Sequence, residues 1–300
     1  MAAEPPANAF DMPKPPTDVS FIYQTTETTV PLRVDPRSGF PIVFARLNAG
    51  PLMPFILDTG GHDIAAPEAA RLLGLRLVGV GQSYGAGAGS TRTRFTTVRS
   101  ITIGGATIAR QPLTVLYIDL GQTRNTQGHL VPVAGILGLE VFERFTVTLD
   151  FDRKRVTFRR PSTLRRLGKA VQLRFTSDMP LATAAADGAS GDFGVDTGNN
   201  TKLILFSPWL RSRRVTVHVT RSSMMSGSSV GGTMALQPAH VDRFTLGGTS
   251  LNSAPALIST MTSGSLSSRD EAGNIGLDIL ERFRRVIFDY AHSGMAVDGR

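Results

Sequence analysis

Apolar residues in this chain gather in short blocks that glycine, asparagine and aspartate turns cut off. The stretch "FPIVFARLNAGPLMPFILDTG" predicts a strand, an Asn-Ala-Gly turn and a second strand. Later, "MPLATAAADGASGDFGVDTG" predicts the same layout around an Asp-Gly turn. "SITIGGATI" and "FTLGGTSL" each predict a strand carrying a Gly-Gly turn. Two segments rich in glycine and serine, "GQSYGAGAGSTRTRF" and "SGSSVGGTMAL", precede them at matching places. Only "LEVFERF" and "LDILERF" read as short helices, each leading into a strand hairpin. Trp209, in "LILFSPWL", reads as core at a strand-to-turn transition.

The blocks occur twice because the chain repeats itself. The triplet Asp58, Thr59, Gly60 returns as Asp196, Thr197, Gly198, an offset of 138 (196 − 58). "GILGLEVFERFTVTLDF", from Gly135, returns as "GNIGLDILERFRRVIFDY", from Gly273, again 138 positions on (273 − 135). Two unrelated motifs sharing one offset point to a tandem of two similar halves, each mostly β with one short helix near its end. The expected organisation is a flexible Pro-rich tail over 1–27, a first lobe over 28–160, a linker over 161–170 and a second lobe over 171–300.

Composition fits that picture. The chain has 300 residues, 41% hydrophobic and 19% charged, enough to bury a core. Its 31 glycines and 18 prolines favour strands and turns over long helices. No apolar run is long enough to span a bilayer as a helix. The absence of cysteine excludes disulfides and thiol catalysis, and fits any compartment. The first twenty residues have no apolar core of the signal-peptide kind. The expectation is a tail left after a signal was removed, and with it a periplasmic or secreted location. Net charge is +8, yet the basic residues are scattered arginines without interleaved aromatics. They read as a solvated surface, and no nucleic-acid partner is expected. Histidines 62, 129, 218, 240 and 292 show no metal-ligand spacing, so no metal and no cofactor is expected.

The triplets carry the chemistry. The apolar run ending at Leu57 delivers Asp58 to the rim of a core, where an isolated carboxylate is costly. Thr59 can bond across to a neighbouring segment, and glycine after it admits a close approach. Two lobes packed about a pseudo-twofold axis bring Asp58 and Asp196 together. Carboxyls that close cannot both ionise easily and share a proton. The ionised member can take a proton from water while the protonated one donates to a carbonyl oxygen.

Two Asp-Thr-Gly triplets behind apolar residues, each followed 80 positions later by an apolar-Gly element (Gly138 and Gly276), resemble the retropepsin and pepsin-type aspartic proteases. The resemblance covers nearly everything after about residue 30. It implies an all-β fold of two β-barrel lobes with a cleft between them. It also implies Asp58 and Asp196 as catalytic dyad, Thr59 and Thr197 interlocked beneath it, and Gly60 and Gly198 at the turns. A substrate-binding flap is implied over residues 82–92, with Tyr84 and Gly85 near its tip, and a shorter second flap near 226–232. The expected function is an aspartic endopeptidase, a monomer acting on extended peptides at acidic to mildly acidic pH. The alternative is a peptide- or protein-binding module on the same fold that does not cleave.

This chain departs from the family where Ser, Thr or Ala usually follows the triplet: it has Gly61 and Asn199. Asn274 stands where an apolar residue is usual. Gly61 offers the carboxylate no side-chain hydrogen bond, whereas Asn199 can, so the two acids are expected to be unequal, with the proton's owner open. His62, beside Gly61, is a candidate for tuning the dyad, while Asp63, Asp150, Asp152 and Asp289 read as turn or surface acids. "GQSYG" fits the Gly-x-Ser-x-Gly elbow of α/β-hydrolases, but no helix can follow it in this sequence.

Overall fold

The computed structural model describes residues 19–161, 170–220 and 222–300. The structure is mostly strand, arranged as two lobes that repeat each other's strand pairings. In the first lobe the fully buried strand Met53–Leu57 runs parallel to Gly135–Leu137, with Phe55 opposite Gly135. In the second, Ala189–Val195 runs parallel to Gly273–Ile275, with Phe193 opposite Gly273. The pairing thus repeats with the offset read from the sequence. Each of these central short strands is flanked on its far side by an antiparallel one, Ile64–Ala65 or Leu203–Phe206.

The helices Leu139–Phe142 and Leu277–Leu280 turn the chain from each central strand into a sheet that the lobes share. There Thr146–Asp150 pairs antiparallel with Arg285–Asp289. Arg155–Arg159 and Glu27–Pro31 continue the sheet on one side, Gly294–Asp298 and Val171–Thr176 on the other. Aromatic side chains seal the junction. Phe142 of the first lobe packs edge-on against Phe288 at 5.5 Å and lies 5.3 Å from the Tyr290 ring. One hydrophobic cluster therefore runs through both lobes.

Three expectations change. Part of the tail expected over 1–27 is built into the sheets: Val19–Phe21 pairs with the strand Ala106–Leu116, and Glu27 opens a strand of the shared sheet. Phe21 anchors it, packing edge-on against Phe145 with the Arg160 guanidinium over its ring. Residues 1–18, and the linker expected over 161–170 apart from its two ends, lie outside the described residues. Each lobe also has a helix the pattern did not suggest, Pro67–Leu72 and Ser207–Arg213. Proline near the first helical position starts each, since its missing N–H has no partner to lose there. Trp209 is buried, as expected, but inside the second of these helices. No helix among the described residues is long and apolar enough to cross a membrane.

Because Phe288 fills the junction between lobes, Phe288→Ala should lower the unfolding free energy by about 3–5 kcal/mol. Equilibrium urea unfolding checks this, and a loss below about 1 kcal/mol would contradict a shared core.

Candidate active site

Each triplet begins where its buried strand ends. The Asp58 N–H donates to Leu137 O at 2.9 Å, and the Asp196 N–H to Ile275 O at 3.1 Å. The central short strand of each lobe therefore fixes where its aspartate sits. The next residue ties the lobes together. Thr59 and Thr197 are both fully buried. The Thr59 N–H donates to Thr197 Oγ1 at 3.0 Å, and the Thr197 N–H to Thr59 Oγ1 at 2.9 Å. Each hydroxyl then donates to a carbonyl of the opposite strand, Thr59 to Val195 O and Thr197 to Leu57 O, both at 2.7 Å. Every polar group in this lock is satisfied, as burial demands.

Glycine follows each threonine because the opposite aspartate occupies the space a side chain would need. A Cβ on Gly60 would lie 2.7 Å from the Asp196 carboxyl, and one on Gly198 would meet that of Asp58. The carboxyls of Asp58 and Asp196 are therefore neighbours, each lodged against the glycine of the other triplet. Burial, then the Asp196 charge, push Asp58 up to about 8. Burial also raises Asp196, but the Asn274 amide and the Asn199 N–H hold it back. The asymmetry gives the shared proton to Asp58 and the negative charge to Asp196.

The hydrogen bonds account for it. Asp58 Oδ1 accepts the Gly60 N–H at 2.8 Å. A Cβ on Gly61 would lie 2.6 Å from Asp58 Oδ2, so this glycine leaves room for the carboxyl and gives it no side-chain donor. Asp196 Oδ1 accepts the Asn199 N–H at 2.9 Å, and Oδ2 accepts the Asn274 amide at 3.0 Å. The Asn199 side chain reaches Asn274 Oδ1 at 2.7 Å, not the carboxylate that the sequence suggested for it. Sequence reasoning noted Asn274 as a departure without seeing its partner. It missed Tyr290 altogether, whose buried hydroxyl donates to Thr59 O at 3.0 Å.

His62 is engaged beside the dyad loop: its Nδ1 lies 2.7 Å from Glu140 Oε1 and its Nε2 3.4 Å from Asp178 Oδ2. Asp63 is a buried acid, contrary to expectation, accepting the Gly138 N–H at 2.7 Å. Burial, then the neighbouring Glu140 charge, hold it well above the usual carboxylate range. Asp150 and Asp289 are buried too, against arginines 153 and 155 and against His292. Asp152 is on the surface, as expected.

The lobes meet again at two hairpins where the flaps were expected. The first pairs Val78–Tyr84 with Ser90–Ile103, and the second pairs Met225–Ser229 with Gly232–Leu246. Their tips bond to each other: Gly87 N–H to Val230 O at 3.0 Å, and Gly89 N–H to Gly231 O at 2.7 Å. Tyr84 ends the first strand with its ring half exposed, and Gly85 begins the tip. Ser83, of the hydrolase-like "GQSYG", lies inside this hairpin with a strand after it. Among the described residues, His218, His240 and Asp242 form a group of metal-ligand type on paired strands, with His240 partly buried between its two exposed neighbours. Sequence spacing hid it, because strand pairing brings the two histidines together.

A family model described as aspartyl protease matches residues 43–141, the part that carries the first triplet. No curated protein matches the sequence. Among solved structures, an aspartic proteinase from Irpex lacteus is similar at 15% identity, covering 91% of this chain and 97% of that one, with a TM-score of 0.54. Basic 7S globulin from soybean is similar at 11% identity, over 91% and 95%, with a TM-score of 0.49. A retropepsin-like aspartic protease from Rickettsia conorii is similar at 21% identity, over 51% of this chain and all of that one, with a TM-score of 0.31. The likeness to the Irpex lacteus proteinase bears on the fold of both lobes, and the family match on the first lobe alone.

Asp58 has a folded-state pKa of about 8 against an ordinary 3.8, so between these values the folded chain keeps a proton that the unfolded chain has released. Its contribution to stability is complete below about 4 and is lost as pH rises through about 8, at up to about 1.4 kcal/mol per pH unit. Urea unfolding across that window should show stability falling with pH, and Asp58→Asn should flatten the slope. An unchanged slope would contradict a protonated Asp58.

Proposed function

We propose that the protein is an aspartic endopeptidase in which Asp58 and Asp196 activate water against a peptide bond. The observation that carries this reading is the pair of aspartates, each with its carboxyl lodged against the glycine of the other triplet. As water attacks the carbonyl carbon, the Asp196 carboxylate takes its proton and Asp58 gives its own to the carbonyl oxygen. The product is a neutral gem-diol, with Asp58 now ionised and Asp196 protonated. On collapse Asp196 protonates the departing nitrogen, the C–N bond breaks, and Asp58 recovers a proton from a gem-diol hydroxyl. The dyad ends as it began, and no covalent intermediate forms.

Both acids lie on one chain, so a monomer suffices. The hairpin tips, joined to each other here, would part to admit a peptide and then bond its extended backbone, with Tyr84 and Gly85 on the first flap. The binding-module alternative would need an acid diverted from the pair. Among the described residues, no arginine ion-pairs with either Asp58 or Asp196.

An unfolded protein offered as substrate should be cleaved, and Asp58→Asn or Asp196→Asn should each lower kcat at least about a thousandfold. With Asp58 at about 8, the upper limb of the pH profile should fall near that value, so activity reaches beyond the mildly acidic range. Full proteolysis by either single variant would contradict the shared dyad. Peptide binding without any cleavage by the unaltered chain would favour the binding module.

A further inference from the structure

The two lobes repeat each other around the dyad but differ at two positions beside it. Gly61 of the first lobe corresponds to Asn199 of the second, and Ile136 to Asn274. Both differences add an amide on the Asp196 side. Ile136 sits in an apolar cluster with Ile42, Ile56 and Ile64, whereas Asn274 is buried with its amide on Asp196 Oδ2.

The polarity of this hydrogen-bond chain is fixed from its far end. The Thr201 backbone N–H, which can only donate, bonds Asn199 Oδ1 at 3.1 Å, and the Thr201 hydroxyl donates to the same oxygen at 2.7 Å. The Asn199 NH2 must then point to Asn274, where Oδ1 accepts it. That leaves the Asn274 NH2 facing Asp196. Turning either amide over would set an oxygen against a carboxylate or carbonyl oxygen, or oppose two NH2 groups. Asp196 thus has a fixed donor on each oxygen, one of them a side-chain amide, while the N–H donors beside Asp58 are those of the Gly60 and Gly198 backbone. Donors to the charged form draw the charge toward them.

We propose that Asn274, oriented by Asn199, is the positioning residue that assigns the two roles of the dyad, holding Asp196 as carboxylate and leaving the shared proton on Asp58. The inference rests on the dyad reading for its mechanistic meaning, but its ionisation content is testable without turnover. Besides the two acids themselves, Tyr290 is a titratable group that feels both carboxyls; burial first, and their negative charges second, raise it well above its ordinary value and keep it neutral.

The test is a ¹³C NMR titration of aspartate carboxyl carbons in the full chain, run beside the pH profile of kcat/KM. In the unaltered protein Asp196 should titrate below Asp58. Asn274→Leu, close in shape but without a donor, should raise the Asp196 midpoint by about one to two pH units and carry the acid limb of the profile with it. Asn199→Ala, which only frees the Asn274 amide to turn, should shift both in the same direction by less, and serves if Asn274→Leu fails to fold. Asp58 titrating first in the unaltered chain, or midpoints unmoved in a folded variant, would overturn the proposal. A chain that shows these midpoints yet cleaves no peptide would remove the protease reading and leave the assignment standing.

Discussion

Two threonine hydroxyls, each buried and each bonded to the other lobe, are the constraint on which the rest of the site depends. Thr59 and Thr197 exchange backbone N–H bonds and reach past each other to the carbonyls of Val195 and Leu57. These four bonds close only if the strands ending in Leu57 and Val195 are related by a near-twofold axis. The aspartates precede the threonines by one residue, so the same symmetry sets their carboxyls face to face. The shared sheet and the Phe142–Phe288–Tyr290 contact hold the lobes together from below, and the Tyr290 hydroxyl bonds Thr59 O from that side.

Symmetry brings the acids together, but a symmetric pair would have no fixed acid and base. The departures of the second lobe from the first resolve this. Where the first lobe has Gly61 and Ile136, the second has Asn199 and Asn274, and the extra amides fall on Asp196. Burying a carboxyl that must stay protonated is tolerable for Asp58, because a neutral acid loses less on leaving water than a carboxylate does. Fold and chemistry thus divide between two layers: the repeat builds the pocket, and its imperfections polarise it.

Much of this was legible in the sequence because it depends on local patterns and on one offset. Glycines at the triplets and hairpin tips marked where backbone or carboxyl must approach closely, and the 138-residue spacing fixed which elements correspond. What was hidden depends on partners distant in the chain. Asn274 is an odd residue in an apolar motif until Asp196, 78 positions away, is seen beside it. Asp63 reads as a turn acid until the Gly138 N–H closes on it. Residues 19–21 were lost in the Pro-rich composition of the stretch before them, although Phe21 has a buried ring to pack against. Helices begun by proline after an apolar strand gave too short a pattern to separate from a turn.

The account stands or falls on whether the two threonines act as one unit. A double-mutant cycle with Thr59→Val, Thr197→Val and the pair, followed by urea unfolding, measures this directly. Removing either hydroxyl should already break the reciprocal bonds, so the double variant should be less destabilised than the sum of the singles, with a coupling of about 1–3 kcal/mol. Additive losses, with no coupling, would mean that the threonines are buried separately and that the lobes are brought into register by something else.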